Sequence, residues 1–168
     1  MSVFNWSKSL IMNWKLLVVV VFIVGFATCI SPPDYPIEPQ ILYKALSKTT
    51  MRQGQLGTED SLYMYLTFTD GDGDLGDKDS LNVFLTDKRN NQTADRFRIP
   101  YVPVEGAKNG ISGELRILLF TTCCNVLPPC EPSKTKPIDT LIYDVYIKDR
   151  AGHKSNVIQT APIFLQCK

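Results

Sequence analysis

The chain has 168 residues, 44% hydrophobic and 21% charged, which excludes both a disordered polyelectrolyte and a polytopic membrane protein and suits one domain. Its 18 Lys and Arg against 17 Asp and Glu give a formal net charge of +1, too weak a field to argue for nucleic acid as a partner. Lys8 and Lys15 precede Cys29 and no acid does, so the remainder carries 16 basic against 17 acidic residues.

Residues 1–28 have the parts of an export signal: a polar, basic stretch from Met1 to Lys15, then an apolar run from Leu16 to Ala27. That run has 12 residues, short of the roughly 20 that span a bilayer as a helix. Phe26-Ala27-Thr28-Cys29 resembles the lipobox of bacterial lipoproteins, with Phe26 and Thr28 where Leu and a small residue are usual. The resemblance implies a signal peptide over 1–28, cut before a lipidated Cys29. An uncleaved signal anchor and ordinary secretion are the alternatives. Residues 29–39 carry Pro32, Pro33, Pro36 and Pro39 and cannot continue a helix, so they read as an extended tether. Several acyl chains on one cysteine anchor stably where a single myristoyl chain does not. The address expected is the outer membrane or cell surface, with a periplasmic face as the other possibility, and the membrane is reached through lipid on Cys29.

From Gln40 onward, period-2 apolar alternation recurs between turn signals, with no amphipathic segment of helical period. Seven strands are predicted: 40–47, 62–69, 81–86, 96–102, 111–120, 141–148 and 157–165. Tyr143, Val145 and Ile147 alternate with Asp144, Tyr146 and Lys148, the mark of a half-buried strand. The turn after it contains Gly152, free to take positive φ. About seven short strands over 40–168 predict an all-β, immunoglobulin-like antiparallel β-sandwich in one domain, with a closed barrel as the runner-up.

Between the second and third of these strands lies Asp70-Gly71-Asp72-Gly73-Asp74-Leu75-Gly76-Asp77-Lys78-Asp79, five aspartates in ten residues. Carboxylates at that density repel, and a hard cation such as Ca²⁺ removes the penalty by taking six to eight oxygens. Asp70, Asp72, Asp74 and Asp77 are the candidate calcium ligands. An EF-hand loop needs Gly at its sixth position and Glu at its twelfth, where this chain has Leu75 and Leu81. The alternative is a solvated turn in which the aspartates cap their own backbone.

With Cys29 assigned to lipid, Cys123, Cys124, Cys130 and Cys167 remain, an even number suited to an oxidising compartment. Neighbouring residues on a strand point to opposite faces, so one of the vicinal pair can reach Cys130 and the other Cys167, in either assignment. A zinc site lacks Cys-x2-Cys pairs, and the only histidine, His153, sits in another turn.

The Phe68 to Gly76 segment, Ile111-Ser112-Gly113-Glu114-Leu115 and the stretch Leu141 to Asn156 together resemble uncharacterised Bacteroidetes-type lipoproteins. Asp149-Arg150-Ala151-Gly152 with Ser155-Asn156 is similar to the last hairpin of bacterial immunoglobulin-like and fibronectin-III-like modules. The resemblance implies an Ig-like lipoprotein and transfers no catalytic residue. His153 in a turn, and Glu105 with Glu114 beside a glycine-containing loop, make no defined catalytic set. Tyr63 and Tyr65 share one strand face and offer either a platform for sugar or peptide or simple cross-strand packing. The function expected is a non-enzymatic binding or scaffold module for an envelope protein, glycan or peptide, with calcium as its cofactor. The alternative is a metal-dependent hydrolase using Asp70, Asp72 and Asp74.

Overall fold

The computed structural model describes residues 34–54, 60–103, 110–126 and 130–168. The expected signal peptide, Cys29 and the first residues of the tether lie outside the described residues. The described part is all-β and forms a sandwich of ten strands. One sheet is β1 (Gln40–Leu46), β3 (Ser61–Asp70) and β6 (Ile111–Phe120), in the order β1-β3-β6. A second is β5 (Gln92–Phe97), β4 (Val83–Asp87), β8 (Tyr143–Ile147) and β9 (Ile158–Gln159). The third is β2 (Thr50–Arg52), β10 (Ile163–Gln166) and β7 (Ile138–Leu141).

Alternation builds the core. Leu62, Met64 and Leu66 of β3 are buried while Tyr63, Tyr65 and Thr67 between them are half exposed. They meet Ile117 and Leu119 of β6, Val83 and Leu85 of β4, Val145 and Ile147 of β8, and Ile163 and Leu165 of β10 in one cluster. Each such side chain contributes about 1.5–3 kcal/mol by leaving water.

Ten strands form where seven are predicted because two of the seven segments change sheets. β7 pairs with β10, but after Ile142 the same chain pairs as β8 with β4 and β9. Its partner does likewise, breaking between β9 and β10 at Thr160-Ala161-Pro162, where proline has no N–H to donate. Thr160 holds this corner: its N–H donates to Tyr143 O at 3.0 Å and its Oγ1 accepts from Tyr143 N at 3.1 Å. The third extra strand, β2, pairs with β10 in parallel, an exception to the antiparallel pattern expected.

The predicted strand 96–102 is displaced to Gln92–Phe97. Asn91 takes φ +57° and donates its N–H to Asp87 O at 2.7 Å, so the turn is tight and pairing resumes at Gln92. Residues Gln92 to Arg96 are exposed on both faces, so alternation has nothing to reveal there.

Candidate metal centre

The alternation that buries Leu62, Met64 and Leu66 also turns Asp70, the last residue of β3, inward, and it is 0% exposed. Its Oδ2 accepts the Leu75 N–H at 3.0 Å, and Leu75 is itself fully buried. Its Oδ1 is buried and accepts no hydrogen bond. Between Asp70 and Leu75 the chain makes a short loop that returns Asp72 and Asp74 to the same side.

The fourth carboxylate comes from the turn after β8. Asp149 has a buried side chain whose Oδ1 accepts the His153 N–H at 2.7 Å, while His153 Nδ1 lies 2.8 Å from its Oδ2. That turn, with Gly152 at φ +94°, is fastened to the aspartate loop by hydrogen bonds from Arg150 and Ala151. Ala151 N–H donates to Asp74 Oδ2 at 3.0 Å, Arg150 N–H to Asp74 O at 3.4 Å, and Arg150 Nη1 to Gly76 O at 2.8 Å.

One carboxylate oxygen from each of Asp70, Asp72, Asp74 and Asp149 lies within 4.8 Å of all the others. Oxygens on opposite sides of one Ca²⁺ are about 4.6–5.2 Å apart, whereas Mg²⁺ draws them to about 4.0–4.2 Å and demands a regular octahedron. The all-oxygen donor set also suits a hard cation and not zinc. Asp74 Oδ1, like Asp70 Oδ1, is buried without a partner. Each Asp149 oxygen that accepts from His153 keeps a second lone pair, so its hydrogen bonds orient the carboxylate without consuming it.

The four carboxylates act on one another electrostatically. Burial, then the charge of Asp72, then those of Asp74 and Asp149, push the Asp70 carboxyl up from 3.8 to about 6 against the pull of the Leu75 N–H. Asp74 is raised as well, by burial first and then by Asp149 and Asp72. The hydrogen bond to Asp149 raises His153.

Asp77, also among the expected ligands, is not in this group. Its Oδ1 accepts the N–H groups of Asp79 at 2.8 Å and Ser80 at 3.0 Å, which holds the carboxyl below its ordinary range. Asp77 therefore follows the turn-capping alternative, while Asp70, Asp72 and Asp74 converge. Asp149 was not among the expected ligands. It lies 75 residues after Asp74, and its sole signal is an acid opening a glycine turn.

Elsewhere, Cys123 is bonded to Cys130 and Cys124 to Cys167, with Cα–Cα distances of 4.7 and 5.9 Å. Tyr63 is capped by the Arg116 guanidinium of β6, 4.6 Å from its ring centre, and so takes part in cross-strand packing. On the outer face of the β5-β4-β8-β9 sheet, Phe84 and Tyr146 stack at 4.8 Å, with Arg96 5.8 Å from the Phe84 ring and Lys154 4.0 Å from the Tyr146 ring. Glu105 lies outside the described residues, and Glu114 is paired with Lys44. Comparison of the chain with protein-family models, curated proteins and solved structures returned no match.

Proposed function

We propose that this chain is a non-enzymatic binding or scaffold module of the cell envelope, tethered through lipid on Cys29 and stiffened by calcium at Asp70, Asp72, Asp74 and Asp149. The observation that carries the calcium reading is Asp70: a fully buried carboxylate with one oxygen unpartnered, at the centre of four converging acids. A buried anion without a partner is costly, and a divalent cation supplies the missing charge and ligand at once. The binding reading is supported by the rigid all-β frame and by outer faces that offer paired aromatic and cationic side chains to an envelope protein, glycan or peptide.

A ligand that binds only the folded state raises stability by about 2.7 kcal/mol at a hundredfold excess over its dissociation constant. For a domain of this size that is a melting-temperature rise of roughly 5–10 °C. Calorimetry in millimolar Ca²⁺ and in chelator should show it. Identical melting curves under the two conditions would remove calcium from the account.

A further inference from the structure

We infer that the cation at this site also clamps the segment Asp34 to Pro39, the last part of the tether, onto the sandwich. The inference rests on the calcium reading above and adds a consequence that reading does not require.

The seam between tether and domain is made by the aspartate loop itself. Gly71, directly after Asp70, donates its N–H to Pro36 O at 2.8 Å. Its Cα approaches the tether so closely that a Cβ there would lie 2.3 Å from Tyr35 O and 2.5 Å from Pro36 O. Only glycine permits backbone to meet backbone in this way. The Tyr35 ring completes the seam: a Cβ on Gly110 would lie 2.9 Å from Tyr35 Cδ2 and 2.9 Å from Asp70 O. Pro39 is buried, while Ile37 between these anchors is 55% exposed.

The residue that receives Pro36 is therefore flanked on both sides by proposed ligands, Asp70 and Asp72. Without a cation, mutual repulsion among the four carboxylates acts most on Asp72, since Asp74 is fastened to the Asp149 turn, and the backbone at Gly71 turns with Asp72. With calcium bound, Asp70 and Asp72 are drawn to one centre, and the Gly71 N–H is held in line with Pro36 O. Docking of the tether and binding of the cation then favour the same loop conformation, so each strengthens the other by the same factor. Cation occupancy thereby sets whether the domain is held against its own tether or swings from it by a longer free chain.

The test is ¹⁵N NMR of the full chain in detergent micelles, with calcium alone as the probe and calorimetric titration to measure its affinity. In calcium, Ile37 and Glu38 should have order parameters near the rigid value of about 0.85, falling below about 0.6 in chelator. Asp149→Asn, at a side chain hydrogen-bonded to His153 and not to the tether, should abolish calcium binding and leave Ile37 mobile in either buffer. Gly71→Ala keeps every carboxylate but obstructs the seam, so it should leave Ile37 mobile in calcium and weaken calcium affinity about 5- to 10-fold. If that variant fails to fold, Tyr35→Ala should do the same to a lesser degree. Absence of calcium binding to the unaltered chain would overturn the metal reading and the clamp together. Calcium binding with Ile37 and Glu38 equally ordered in both buffers would overturn the clamp alone.

Discussion

An aspartate at a core-facing strand position destabilises a fold unless its charge is answered, and Asp70 occupies such a position at the end of β3. Its carboxyl, raised from 3.8 to about 6 by burial and by Asp72, Asp74 and Asp149, binds its proton more tightly folded than unfolded. In metal-free protein its contribution to stability is therefore greatest below pH 4 and is lost as the pH rises through 6. Relaxation of the loop around the charge reduces this to about 1–2 kcal/mol. Asp70→Asn removes the titration, so in chelator at pH 7.5 the variant should be more stable than the parent by about that amount, an advantage that fades towards pH 4. In calcium at pH 7.5 the order should reverse. Denaturant titrations of both proteins in the two buffers would check this, and a variant that is less stable in chelator across the whole range would contradict it.

Among the elements, the β4–β5 hairpin is held to the rest of the molecule by a residue that its sequence presents as an ordinary turn cation. Arg89 is 11% exposed and bridges Asp87 at the end of β4, at 2.6 Å, to Asp139 of β7, at 2.7 Å. It also donates to Cys123 O at 3.1 Å, next to the disulfide pair. Burial opposes the charge on Asp139, but hydrogen bonds from Lys136 and Arg89 outweigh it and hold the carboxyl below its ordinary range. Removing one partner of a buried ionic cluster leaves the others uncompensated, at a cost of about 3–5 kcal/mol. Arg89→Ala should show that loss in chemical denaturation. A cost below about 1 kcal/mol would mean that water reaches the two acids freely.

For the whole molecule, the Cys124–Cys167 bond joins residues 43 apart and ties the end of β10 back to the chain leaving β6. In the chain-entropy picture a loop of that length stabilises the fold by about 4 kcal/mol. The frame so closed is what a lipid on Cys29 would hold at the membrane. Cys29→Ala should fail to take up labelled fatty acid and should leave the membrane fraction. Retention of that variant in the membrane would instead indicate an uncleaved anchor. The β3 residues that face inward and the loop of aspartates that follows are legible in the chain, because period 2 and acid density are local properties. The Asp87–Arg89–Asp139 bridge is not, since Arg89 reads as solvated until β7 is laid beside it.

What the linear order of residues determines here is an all-β frame, the position of most of its turns, and three converging aspartates, all consequences of alternation and spacing within a few residues. Folding alone decides that two long segments each divide between sheets and that Asp149 supplies the fourth carboxylate. It also decides that Gly71 abuts Pro36. These depend on which distant backbones come within hydrogen-bonding distance, and side-chain pattern along one strand carries no record of its neighbours.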